Sequence, residues 1–513
     1  VTSIATDIRS PDGAAAAYAG VRKESLHPLV LLYLFTVVIP IGFNLGSVAI
    51  TSMRLLLILT VLPTTISLFS GKYGKVYPVD YLFCVHILWA TVALIKNNPD
   101  LALQNAGSFS VEFLGGYTLA RAYIRTPAAF LALIRMILML VVVALPFAIS
   151  EALNGRALIP YLVDKVPGLW SVAQVNIEKR MGLERAQVYF AHPIHFGLFC
   201  SSALALTFVS MRGIMSNFAR YALSFAICVG VFLSLSSGAL LAAMLQMFLV
   251  TWAFVLRRNE ARWKILIGIF VFLYVAIDLA SNRTPLRVFM TYATFSSQTA
   301  YYRSIIFEWG MINVWANPVF GLGLRNWIRP GYMKDGSIDN FWLVMAVRYG
   351  IPGFLTVALG YADALFRVGR RKFTQGTQLA NMKFGWMVVF VGLSFTLTTV
   401  HIWTAMYSYV FFLLGAGMWM ANVADDSGQG EAVAEPAERR KRFSYSRGPA
   451  AGPVHAREVQ TSHARSDAAE KVTATGDQDA RRSPEVFTRF ADRDKAGAAQ
   501  RFAREGDAVK HKR

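Results

Sequence analysis

Between Glu184 and Leu206 the chain reads ERAQVYFAHPIHFGLFCSSALAL, so that an arginine and two histidines stand where an apolar helix begins. Arg185 brings a cation that keeps its charge at physiological pH, and His192 and His195 bring rings that titrate near neutrality. Three residues apart, the two histidines can face one side of a helix and line a cavity just inside a membrane. The alternative is structural: Pro193 shapes a helix start, and each histidine is a buried hydrogen-bonding residue. Arg180 lies five positions upstream, and a second polar stretch carries Arg303, Arg325 and the pair Asp339-Asn340.

Other chemistries fit less well. Cys84, Cys200 and Cys228 sit in apolar runs without a CxxC or Cys/His spacing, so neither a disulfide nor a structural zinc is expected. GLGLRNW contains a GxG but lacks the third glycine and a preceding strand, and reads as a glycine-shaped loop, not a dinucleotide site. No clustered carboxylate site for a metal stands out, and no cofactor is expected. Trp309, Trp315, Trp327 and Trp342 suit sugar stacking or interfacial anchoring equally.

The elements that must position these residues are membrane helices. With 55% hydrophobic and 16% charged residues, and a mean hydropathy of +0.42, the chain is too apolar for soluble cores alone. Continuous apolar runs of about 20 residues, enough to cross a bilayer core of roughly 30 Å, recur along it. A barrel would need alternation instead. The reading is an all-α polytopic membrane protein with about twelve transmembrane helices, at 28–46, 48–69, 79–95, 104–120, 129–149, 189–210, 218–236, 238–256, 262–280, 341–366, 385–401 and 404–421. The fourth carries Glu112, and Arg54 and Arg135 fall within spans, where they would pair, face a cavity or snorkel.

Lysines and arginines fall in alternate short loops, which places both termini in the cytoplasm. The domain reading is a cytoplasmic segment 1–27, a transmembrane domain 28–421 with periplasmic loops near 150–188 and 281–340, and a disordered basic tail 422–513. No cleaved signal peptide is recognised. The formal charge of +20 is accounted for largely by loops and tail facing anionic lipid, so inner-membrane lipids and not nucleic acid are the expected partners. Both long outer loops carry arginines on the side where short loops avoid them.

The arginine ahead of HPIHFG, the SLSSGALLAAMLQ helix, the loop with YYRSIIFEWGMINVWANPVFGLGLRNW, and DNFWLVMAVRYGIPGF together resemble the bacterial O-antigen ligase/polymerase family over roughly 180–355. The resemblance implies a metal-independent glycosyltransferase of the bacterial inner membrane. Its donor would be an undecaprenyl diphosphate-linked oligosaccharide, used on the periplasmic face in exopolysaccharide or O-antigen biosynthesis. A polymerase joins repeat units; a ligase passes the glycan to lipid A-core. A flippase and a chain-length regulator of the same pathway are the implied partners. A transporter of lipid-linked saccharide is the alternative from a different class.

By position, Arg185 corresponds to the family arginine before the HP helix, with Arg180 as the other candidate, and Arg303 to the arginine of the large loop. These cations would neutralise a diphosphate leaving group through planar forks. Where the family usually has His-Asn, this chain has Asp339-Asn340, which argues for a carboxylate base and against the ligase branch. Catalytic roles thus fall on Arg185, Arg303 and Asp339, and substrate binding on Arg180, His192, His195, Arg325 and Asn340. Asp339 as a helix cap is the competing reading.

Overall fold

The computed structural model describes residues 25–46, 48–280, 297–333 and 335–423. Most of the expected N-terminal segment 1–27, residues 281–296 of the large loop and nearly all of the tail 422–513 lie outside these.

The fold is all-α and multi-pass. Proline at the first turn starts α1 (Pro28–Val38), α3 (Pro78–Asn97), α4 (Pro99–Ser110) and α6 (Pro127–Asn154), where its missing N–H costs nothing. Side-chain caps start others: Thr51 Oγ1 accepts the Arg54 amide at the head of α2 (Ser52–Phe69), and Thr126 does the same for Ala129 in α6. After α4 the chain continues through a π turn at Val111–Gly115 into α5 (Gly116–Tyr123). A short α7 (Leu158–Asp164) lies in the following loop.

The second half comprises α8 (Pro193–Ala205, extended by a π turn to Ser210), α9 (Asn217–Leu233), α10 (Ser237–Val255), α11 (Arg262–Ala280), α12 (Ser297–Ala316), α13 (Phe341–Arg370), α14 (Gln378–Thr396) and α15 (Thr404–Gly417). Among the described residues, nine helices are long and apolar enough to cross a membrane. The other three expected spans coincide with α1, α4–α5 and α9. α8 and α15 are central, buried nearly all round, whereas α11 is exposed along its length.

The expected span 28–46 needs correction. α1 ends at Val38, and Gly42–Leu45 (β1) forms a hairpin with Val48–Thr51 (β2), β1 pairing on its other side with Leu169–Trp170 (β3). Pro40 disfavours helix in the residue before it, and the glycines beyond it favour a turn. The run stays apolar, which is why hydropathy alone extends it. α14 also begins seven residues earlier than expected and stops at Thr396, releasing 397–403 as a turn.

Two pairs of charges within the spans neutralise one another. Arg54 Nε donates to Glu112 Oε1 at 2.7 Å, joining α2 to the π turn. Arg121 meets Asp80 at 3.1 Å, and the Tyr117 hydroxyl donates to the same carboxylate at 2.6 Å. Each pair answers the cost of an ionised group in a low-dielectric interior. Arg135 lies exposed on α6, where its long stem can reach toward the headgroups.

Candidate active site

Connections far apart in sequence converge at one end of the bundle around a cavity of about 560 Å³. Five arginines (180, 185, 303, 325 and 348) line it against two aspartates, Asp335 and Asp339. The wall is therefore strongly positive, as a pocket for a multiply charged anion must be.

The segment carrying Arg180 and Arg185 is held by its own backbone. Buried Glu151 accepts the amides of Gln187 at 3.0 Å and Val188 at 2.7 Å, and Ala186 N donates to the Leu233 carbonyl at 3.0 Å. Arg180 Nη1 donates to the Leu235 carbonyl at 2.7 Å, which steadies that guanidinium against the α9–α10 turn. Burial, with Arg180 alongside, lowers the Arg185 pKa to about 10, still cationic at neutral pH.

Arg303 projects from α12. Its Nε is buried and finds no hydrogen-bond partner among the described residues, so a guanidinium N–H waits for an acceptor. Burial lowers its pKa, and the Asp339 carboxylate opposes that shift.

Arg325 sits in the loop that follows α12, which is seated on two other elements. Asn98 Oδ1 accepts the Leu324 amide at 2.8 Å, and Arg325 donates to Asn97 Oδ1. Leu322 N and Gly323 N donate to the carbonyls of Val347 and Arg348 at 2.7 and 2.9 Å. Those carbonyls are free because Gly350 interrupts α13 at φ 73°, where a Cβ would lie 2.1 Å from the Val319 carbonyl oxygen. The GLG motif is thus a loop docked on a broken helix, as its composition suggested.

Asp339 and Asn340 divide their roles. Asn340 caps α13, its Oδ1 accepting the Leu343 amide at 3.0 Å, while Asp339 lines the cavity. Burial raises the Asp339 pKa; Arg303 and, less strongly, Arg185 pull it down, and Asp335 pushes it up. Phe341 N donates to the Leu397 and Val400 carbonyls at 2.9 and 3.0 Å, bringing the 397–403 turn to the rim.

His192 lines the cavity; His195 does not. His192 Nδ1 accepts the Ile194 amide at 3.1 Å, and burial beside Arg185 and Arg180 lowers its pKa to about 4. A neutral ring whose Nδ1 accepts must carry its proton on Nε2, so His192 presents a donor. His195 is fully buried behind it, 4.0 Å between ring centroids from Trp403.

Of the residues singled out from sequence, the cavity gathers Arg180, Arg185, His192, Arg303, Arg325, Trp327 and Asp339. His195 and Asn340 stand behind its wall. Arg348, His401 and Trp403 also line it and were not singled out. Arg348 follows Val344, another lining residue, by four positions, about one helical turn, and so shares its face. His401 and Trp403 fell at the edge of expected spans and carried no such signal.

A family model described as O-antigen ligase matches residues 222–358, which takes in Arg303, Arg325, Asp339 and Arg348. A search of the curated proteins gives no match. The family match supports an O-antigen ligase/polymerase-like family for this multi-pass membrane chain, a family of glycosyl-transferring enzymes.

Proposed function

We propose that the chain is a polysaccharide polymerase, joining undecaprenyl diphosphate-linked repeat units on the periplasmic face of the bacterial inner membrane. The observation that carries this reading is the cavity with five arginines against two aspartates, set at one end of the bundle. Donor diphosphate would lie between Arg185 and Arg303, with Arg180 and Arg325 contributing further fork contacts. These cations supply the charge neutralisation a bound metal would otherwise provide. Asp339 accepts the proton of the acceptor hydroxyl as that oxygen bonds to the anomeric carbon and the bond to diphosphate breaks. The His192 Nε2–H donates to a saccharide or phosphate oxygen; His195 and Asn340 hold the wall.

The opposite ends of the helices carry Lys72, Lys75, Arg125, Arg257, Arg258, Arg371 and Lys372 in short turns, which supports a cytoplasmic location for that side. The Asp339 carboxylate, in place of the family histidine, favours polymerase over ligase. A transporter would need ionisable groups free near midmembrane; Arg54 with Glu112 and Arg121 with Asp80 are instead mutually paired.

The test is gene deletion followed by size separation of lipid-linked and surface glycans. Accumulation of single lipid-linked repeats is expected. Long lipid-linked polymer that fails to reach lipid A would establish the ligase, and unchanged glycans would overturn both.

A further inference from the structure

At the opposite end of the bundle lies a second basic hollow, which shares no lining residue with the first cavity. It measures about 460 Å³ and is lined by Arg212, Arg220, Arg257 and Arg262, with no aspartate or glutamate in its wall among the described residues. Arg220 is buried: Nη1 donates to the Phe208 carbonyl at 2.7 Å and Nη2 to Asn217 Oδ1 at 3.1 Å. Its Nε is buried without a partner among the described residues. A guanidinium N–H left so is costly, and an incoming oxyanion would relieve it.

The hollow adjoins an apolar cleft of about 310 Å³ lined by α9 and α10, the two cavities sharing Phe208, Val250 and Thr251 in their walls. Arg220, Ser224 and Cys228 descend one face of α9 at intervals of four residues, roughly 6 Å each. Arg220 lines the hollow, Ser224 and Cys228 the cleft. The Ser224 hydroxyl is buried with no partner among the described residues, although the cleft around it is mainly apolar. Polarity thus falls with depth from cation to hydroxyl to thiol. An ester-linked phospholipid has the same order: phosphate, then ester oxygens, then acyl chain.

We propose that this hollow and cleft form a binding site for one anionic glycerophospholipid. Its phosphate lies among the arginines, an ester oxygen accepts from Ser224, and one acyl chain occupies the cleft. The ester contact distinguishes such a lipid from a free phosphate ion, and basic pockets between membrane helices suit anionic headgroups in general.

The full-length chain in detergent is titrated with dioleoyl phosphatidylglycerol, and bound lipids are counted by native mass spectrometry. The first lipid is expected to bind at least tenfold more tightly than dioleoyl phosphatidylcholine. Arg212 and Arg257 are exposed, so Arg212→Gln with Arg257→Gln should fold normally and remove most of that preference. Thr251→Trp, which blocks the cleft, should weaken the first binding event about tenfold with the arginines intact. Unchanged binding in both variants, each with a wild-type melting curve, would overturn the site. Displacement of the lipid by millimolar inorganic phosphate would also overturn it, because an anion site alone would then explain the affinity. None of these substitutions touches the five-arginine cavity, so failure here leaves the glycan-transfer reading standing.

Discussion

Asn340 holds the start of α13 by accepting the Leu343 amide at 3.0 Å, and so leaves its neighbour Asp339 free to face the cavity. The two residues should therefore fail differently. Asn340→Ala removes a cap, which costs about 1 kcal/mol and lowers the melting temperature. Asp339→Asn should leave melting nearly unchanged and abolish polymer, since the amide keeps the size and loses the base. Wild-type polymer from Asp339→Asn at matched protein level would remove Asp339 from the chemistry. The search would then move to His401, because the Nδ1 of His192 is already occupied.

The arginines should matter through geometry as well as charge. Arg303→Ala and Arg185→Ala are each expected to lower polymer yield by about 10²–10³-fold while the protein still inserts, in line with loss of one preorganised donor to developing charge. Arg303→Lys should remain impaired, because an ammonium lacks the planar fork. Membrane-level immunoblotting paired with glycan gels separates lost function from lost protein.

If Asp339 is the base, activity falls as pH drops through its pKa. Burial raises that pKa, so the acid limb should stand above the ordinary carboxylate range. Arg303→Ala removes the largest favourable charge and should move the residual activity's limb to higher pH. Asp335→Asn removes a neighbouring negative charge and should move it lower. In vitro transfer measured across pH with purified variants reads both shifts, and a limb that moves with neither charge would rule out Asp339 as the titrating group.

Orientation has its own check. In a cysteine-free variant, a cysteine replacing Lys165 should react with an impermeant thiol reagent added outside the inner membrane, and one replacing Arg371 should not. Reversed labelling would place the cavity in the cytoplasm and end the periplasmic reading.

Hydropathy made most of the bundle legible, because a span's length is set by the bilayer and its residues report that directly. Where the run stays apolar but the backbone turns, as at Pro40 and Gly42, the same signal overextended α1. The arginines were legible as charges in unexpected places. Arg180 and Arg185 could not be separated by spacing, and both reach the cavity. His401 and Trp403 were not legible, since only the packing of the 397–403 turn onto Phe341 brings them to the rim. α12 was not legible either: it lies inside a long outer loop, and its mix of polar, charged and aromatic residues is not the continuous apolar run that marks a span.

The same turn has a consequence for biosynthesis. A ribosome delivers the chain in order, and segments pack as they emerge. A nascent protein that has inserted only through α13 already carries all five cavity arginines and Asp339. It still lacks His401 and Trp403, and the Phe341 amide has neither carbonyl acceptor. The wall facing those cations is therefore completed last, when the turn before α15 swings into place. Stalled or truncated chains would hold the charges without the enclosure, and competence for transfer would arrive only with the closing pair of helices.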